Sequence, residues 1–158
     1  MNARNNAARN NAERLCAWVR TGFIGAAFVA AAACAQPAPD ALYQQLGGHR
    51  GLVTLMDDFM IRLLADPRMN LFFKDVDHPH VKEQLVAQFC EVLGGPCKRK
   101  GPDMKTAHDG FDVTRGDFNA LVDVLQQSMD ARDIPFATQN RLLARLAPMH
   151  REIVNVHR

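Results

Sequence analysis

Several features are scarce in this chain, and each scarcity excludes something. It has one Trp and one Tyr, while Leu, Val, Met and Ala are plentiful, a balance that favours helices over sheets. No stretch alternates apolar and polar residues with a period of two, so a half-buried strand has no signature here. No internal repeat is visible, and 158 residues suit one domain. Charge of one sign does not accumulate: 19 Lys and Arg against 17 Asp and Glu leave a net +2. A nucleic-acid protein carries a concentrated basic surface instead. The four cysteines, Cys16, Cys34, Cys90 and Cys97, lack the second pair or the His-x3-His partner of a zinc finger. No apolar run reaches the ~20 residues of a membrane span.

What is present begins with a leader. Residues 1–20 are rich in Asn, Ala and Arg, with Arg4, Arg9, Arg14 and Arg20 opposed only by Glu13. Phe23 to Ala33 is a short apolar run that leaves through Ala31-Ala32-Ala33-Cys34-Ala35. A basic start, a short apolar run and a small-residue exit match a secretory signal. Ala33-Cys34-Ala35 fits a cleavage site that releases a soluble protein. Ala31-Ala32-Ala33-Cys34 also resembles a lipobox, with Cys34 to be lipidated and membrane association to follow only then. A mis-started N-terminus is the third reading. The expected organisation is a leader at residues 1–35, a linker at 36–40 and a folded domain at 41–158, in an exported, periplasmic protein. Export would favour a bridge between Cys90 and Cys97; two unlinked thiols are the alternative, since sequence does not fix their separation.

The folded part reads as helices. Leu52, Leu55, Phe59 and Leu63 recur at spacings of three and four, as do Val81, Leu85, Phe89 and Val92, and such spacing marks one face of a helix. Leu121, Val124, Leu125 and Met129 supply a third face, and Leu142, Leu146, Met149 and Ile153 a fourth, in which Pro148 should kink the helix or leave a backbone carbonyl unpaired. Gly94-Gly95-Pro96 breaks the chain before a basic loop, Lys98-Arg99-Lys100. Thr114 and Asp117 have the spacing of a capping box. The expected fold is all-α, with four substantial helices and two shorter ones. Between the second and third faces, Gly101 to Gly110 reads as a short helical segment ending in one imidazole, His108. Alone, a His there is more often a surface cation at a helix end than a ligand.

The order of motifs changes those odds. Leu42-Tyr43-Gln44-Gln45-Leu46-Gly47-Gly48, Asp57-Asp58-Phe59, Leu64-Ala65-Asp66-Pro67 with Phe72-Phe73, Leu93-Gly94-Gly95-Pro96, and Met104 to Gly110 together resemble the group 1 truncated haemoglobins. Each motif is weak alone; their order and spacing carry the likeness, from Ala41 to Val154. The resemblance implies a truncated globin, a two-over-two helical sandwich around haem b. It implies His108 as the proximal iron ligand, oriented through its other nitrogen by a backbone carbonyl. Phe73 would pack on the haem, and Arg99 and Lys100 would meet its propionates. Met104, Val113, Phe118 and Leu121 would line the pocket.

The chain departs from the family on the distal side. Where relatives place a Tyr and a Gln that hydrogen-bond the bound gas, this chain has Met60 and Leu85, and Val81 faces the iron. The expected distal pocket of Met60, Val81 and Leu85 is largely apolar. Bound dioxygen carries partial negative charge, and a donor to it is worth ~1.5–3 kcal/mol. The implied activity is therefore reversible binding of dioxygen, or of nitric oxide or carbon monoxide, rather than tight oxygen storage. Two other readings stay open. One is a haem enzyme, a nitric oxide dioxygenase or a peroxidase-like protein, served by a redox partner. The other is an electron-transfer protein with Met60 or His80 as second axial ligand; His78 and Gln84 are further polar candidates near the distal helix.

Overall fold

The structure is a computed structural model that describes residues 40–156. The leader at 1–35, Cys16, Cys34 and the linker up to residue 39 lie outside the described residues. In chain order the helices are α1 (Ala41–Gln45), α2 (Gly48–Ala65), α3 (Asn70–Phe73), α4 (His78–Val92), α5 (Met104–Ala107), α6 (Arg115–Asp130), α7 (Phe136–Leu146) and α8 (His150–Ile153), with a 3-10 turn at Ala147–Met149. Among the described residues there is no strand, only an isolated bridge between Thr114 and Val156. The fold is the expected all-α sandwich of two helical pairs. Helix α2 packs on α4, α6 packs on α7, and α2 and α6 join the pairs.

Helix α2 carries the core because its apolar spacing is the most regular. Leu52, Leu55, Phe59 and Leu63 are all fully buried, and Met56 joins them. Each such side chain contributes ~1.5–3 kcal/mol through removal from water. Asp66 ends the helix. The Arg68 guanidinium on its carboxylate, 2.8 Å away, holds that carboxyl down at about 2. The same guanidinium reaches Asp123 on α6, so the turn after α2 is tied to the second helical pair.

Two expectations need correcting. Four short helical turns accompany the four long helices, not two. Pro148 disturbs the last helix as expected: it cannot donate the next backbone hydrogen bond, so the chain tightens into the 3-10 turn between α7 and α8 while its backbone stays right-handed helical at Leu146, Ala147, Met149 and His150. The face expected on α4 is also displaced. Of Val81, Leu85, Phe89 and Val92, only Phe89 is buried in the core, together with Val86 and Cys90. The helix lies between α2 and a cavity, so it presents one apolar stripe to each. The capping box at Thr114 is complete: the Thr114 hydroxyl accepts from the Asp117 amide at 3.2 Å, and the Asp117 carboxylate accepts from the Thr114 amide at 2.9 Å.

One glycine in α2 is required by space. A Cβ on Gly51 would lie 1.9 Å from the carbonyl oxygen of Leu46, the residue that closes α1. Helix α2 can start this close to α1 only without a side chain there. Gly51→Ala should therefore lower stability by ~1–3 kcal/mol, as overpacking against backbone does, despite the better helix propensity of Ala. A denaturant midpoint equal to or above that of the wild type would refute this.

Candidate functional site

Between α4, α5, α6 and the C-terminal turns lies a cavity of about 690 Å³, within the range of about 300–1,000 Å³ usual for small-molecule sites. Its walls bring together most of the residues expected at a cofactor. Phe73, Val81, Leu85, Met104, His108, Phe118 and Leu121 all line it, with Arg99 and Lys100. Val113 does not; it lines a neighbouring cavity of about 230 Å³ that shares Phe73, Val81, His108, Phe118 and Leu121 with the first. Met60 lines neither cavity. It is buried on α2, and the adjacent Phe59, one helical step away, reaches the larger cavity instead. Met60 is thus corrected from a distal-pocket residue to a core residue.

His108 closes the short helix α5, which is opened by Asp103. The Asp103 carboxylate accepts the amide of Thr106 at 2.7 Å, and this bond holds its carboxyl below the usual range. Helix α5 then presents the carbonyl of Met104 to the imidazole of His108, with Nδ1 2.8 Å from that oxygen. A carbonyl can only accept, so Nδ1 carries the ring proton. In the neutral ring Nε2 then keeps its lone pair and is the nitrogen able to bind a metal. The backbone around it is tied from the C-terminus: Asn155 Nδ2 donates to the His108 carbonyl at 3.1 Å, and the amides of Asn155 and Val156 both donate to the carbonyl of Val113.

The basic loop at the cavity's edge is anchored from α4. Glu91 accepts the backbone amide of Arg99 at 3.1 Å and the ammonium of Lys98 at 3.4 Å, and these contacts, the amide first, hold its carboxyl below the usual range. The Arg99 guanidinium donates to the carbonyl of Pro102. Arg99 and Lys100 so place two cations beside an apolar chamber.

The wall formed by α4 is more polar than expected. Beside Val81 and Leu85 it includes Gln84, Gln88 and the exposed His80. Positions 81, 84, 85 and 88 form one helical stripe, and the spacing that selected Val81 and Leu85 would have found Gln88 had polar residues been admitted to it. Gln88 donates through Nε2 to the sulfur of Met149 at 3.7 Å. His78 does not line the cavity; its Nε2 lies 2.7 Å from the carbonyl of Phe73. Met149 and Ile153, expected only as a helix face, also line it.

The chemistry of this donor set is narrow. Among the described residues no group of three or more His, Cys, Asp or Glu converges where a metal ion could sit. A metal held here would meet at most the imidazoles of His108 and His80 and would bring its remaining ligands with it. An apolar body carrying its own metal, with acidic groups at the basic edge, fits all three features, and haem has that constitution.

Comparison with known proteins points the same way. The family described as bacterial-like globin matches residues 41–155. The group 1 truncated haemoglobin GlbN of Mycolicibacterium paratuberculosis is 31% identical over 115 residues, covering 73% of this chain and 85% of that protein. The group 1 truncated haemoglobin of Tetrahymena pyriformis is 30% identical over 102 residues, covering 65% of this chain and 84% of that protein. Among solved structures, the Fe(III) form of the Tetrahymena pyriformis protein superposes with a TM-score of 0.69 at 26% identity, over 72% of this chain and 97% of that one. The 2/2 haemoglobin of Synechococcus sp. PCC 7002, solved with covalently attached haem, superposes with a TM-score of 0.68 at 21% identity, over 73% and 98%. That second likeness bears on the fold.

The cap on α5 gives a direct test of how His108 is held. Asp103→Ala should leave the fold intact and speed hydrogen exchange of the Thr106 amide several-fold at neutral pH. Because the folded-state pKa of Asp103 is depressed, its contribution is present above the unfolded value and lost as pH falls through the folded one. Wild type and variant should converge in acid; a difference that persists there would mean the carboxylate is not the cap.

Proposed function

The chain belongs to the bacterial-like globin family and, within it, to the group 1 truncated haemoglobins, and from that membership we propose that it holds haem b in the 690 Å³ cavity on Nε2 of His108 and binds dioxygen or another diatomic gas reversibly. Membership in this family implies a haem iron cofactor. The observation that carries the assignment to His108 is the 2.8 Å contact of its Nδ1 with the Met104 carbonyl: in the neutral ring this puts the proton on Nδ1 and leaves the Nε2 lone pair available in an apolar chamber. Haem supplies the iron–ligand bond, and the protein supplies a base on one side and access on the other.

The chain's own residues account for the rest. Arg99 and Lys100 neutralise the propionates at the cavity's edge, where a charge-assisted hydrogen bond is roughly twice as strong as a neutral one. Phe73, Phe118 and Leu121 exclude water. Val81 and Leu85 give the ligand an apolar neighbourhood, and Gln84 and Gln88 are the amides of the same wall. Gln88 has a thioether, a weak acceptor, as its partner.

A second reading is electron transfer through six-coordinate haem. His80 favours it, because His80 lines the cavity, whereas Met60 does not. Nitric oxide dioxygenation remains compatible with the first reading and requires an electron donor. Efficient peroxidase action requires an acid–base group close to the ligand, and His80 is the one wall residue of that kind on α4.

We also propose that the protein is exported, with the leader removed before Cys34 or shortly after it, and that it is periplasmic, membrane-anchored only if Cys34 is lipidated. The disulfide between Cys90 and Cys97 supports this location, since such bonds persist in oxidising compartments.

Absorption spectra of the haem-reconstituted protein test the first two proposals. His108→Gly should lose stable haem retention and regain it with free imidazole; unchanged retention would move the ligand to another residue. Five-coordinate ferrous haem that takes up dioxygen reversibly supports gas binding. A low-spin six-coordinate ferrous spectrum that His80→Leu converts to five-coordinate supports electron transfer. For export, mass spectrometry of the mature protein should find its N-terminus near Cys34, with or without an acyl mass; an intact residue 1 would sink the proposal.

A further inference from the structure

The segment between α4 and α5 contains no helix, yet it carries Arg99 and Lys100 to the cavity. It is fastened to α4 by the disulfide between Cys90 and Cys97. The two sulfurs stand in different surroundings. Cys90 has no exposed surface. Cys97 is half-buried and lines a cleft of about 330 Å³ together with His49, Asp57, Lys82 and Glu83. This cleft is separate from the cofactor cavity, and the two share no lining residue. Packing around the bond is close: a Cβ on Gly95 would lie 2.7 Å from Cys90 Sγ and 2.8 Å from the ring of Tyr43 on α1. The loop is thus pressed against the core by a bond that is accessible from one end only.

We propose that this disulfide is a thiol-exchange site, attacked at Cys97 through the cleft, and that its opening loosens the Arg99–Lys100 edge and weakens the hold on the cofactor. The partner is a small thiol or dithiol. A thiolate attacks Cys97 Sγ; the bond between the cysteines breaks, and Cys90 leaves as thiolate and takes up a proton. A second thiolate of the same dithiol attacks its own sulfur in the mixed disulfide, releasing Cys97, which is protonated in turn. The protein disulfide gains two electrons and two protons, and the dithiol becomes a disulfide.

The consequence follows from what the loop has left. Without the cross-link, the loop keeps the Gly95 amide on the Cys90 carbonyl at its start; beyond it the described polar anchors are Glu91 to Lys98 and Arg99, and Arg99 to Pro102, of which only the Glu91–Arg99 bond is partly buried. Closing a short loop removes much of the freedom of the open chain, so reduction returns that freedom to the residues that face the propionates. The last step of the inference rests on haem occupying the cavity; the exchange itself does not.

The test uses the full chain, oxidised, with and without haem. After exposure to excess glutathione and trapping by alkylation, peptide mapping should find the mixed disulfide on Cys97. A mixed disulfide on Cys90, or none, overturns the exchange site. Treatment with dithiothreitol should speed amide exchange across residues 98–102 several-fold. It should also raise the rate of haem transfer to a scavenging apoglobin about tenfold. Cys90→Ser combined with Cys97→Ser should show the fast rates without reductant and respond no further to it. Equal rates in the two redox states of a haem-loaded wild type overturn the proposed control. If the oxidised protein takes up no haem, the functional proposal fails instead, and the mapping and loop exchange still decide whether the exchange site exists.

Discussion

The hydrogen bond from Nδ1 of His108 to the carbonyl of Met104 is the interaction on which the site depends. It fixes the tautomer and turns the ring, and it does so with a backbone atom, which no substitution at Met104 removes. Everything nearby serves to hold that carbonyl and that ring in place. Asp103 starts the helix that carries the carbonyl, and Asn155 holds the carbonyl of His108 itself. A helix of four residues is far too short to be stable alone. The proximal side is therefore built from caps and tertiary ties rather than from helical propensity.

The opposite wall follows a different logic. Helix α4 must satisfy two neighbours, α2 on one side and the cavity on the other. Phe89 meets both, lying in the core and lining the cavity. Val86 and Cys90 belong to the core, while Val81, Gln84, Leu85 and Gln88 belong to the cavity. A helix packed on both sides cannot show the clean amphipathic stripe of a surface helix, and α4 shows none. This also bears on chemistry. The mixture of aliphatic and amide groups leaves this wall weakly polar: among the described residues Gln88 has only the Met149 sulfur as partner and Gln84 has none. On the proposed gas-binding reading, a site built this way would discriminate ligands by size and access more than by a fixed donor.

The legibility of the chain follows the same division. Leu52, Leu55, Phe59 and Leu63 were readable because α2 is buried along one strict face, and Thr114 with Asp117 because capping is local. His108 was readable only through the order of the surrounding motifs, since its own decapeptide describes a capped turn and nothing more. Met60 was misplaced because adjacent helical positions differ by about 100° in direction, and likeness to relatives does not say which of two neighbours faces a cavity. Gln88 escapes an apolar periodicity because the stripe it shares with Val81, Gln84 and Leu85 is half polar. Leu146, Met149 and Ile153 keep one face across Pro148, as their spacing implies, but spacing alone does not say that this face lines a cavity.

The last helix reaches the first interaction by keeping its course. Pro148 cannot donate a backbone hydrogen bond, and the chain tightens there into the 3-10 turn, but the backbone stays right-handed helical at Leu146, Ala147, Met149 and His150. Leu146, Met149 and Ile153, spaced three and four apart across the proline, all line the chamber. Phe118 meets His150 edge-on at 4.8 Å, and Asn155 and Val156 reach the carbonyls of His108 and Val113. The proline costs one helical hydrogen bond without breaking the apolar stripe, so the segment that lines the cavity also delivers the residues that hold the imidazole's backbone in place.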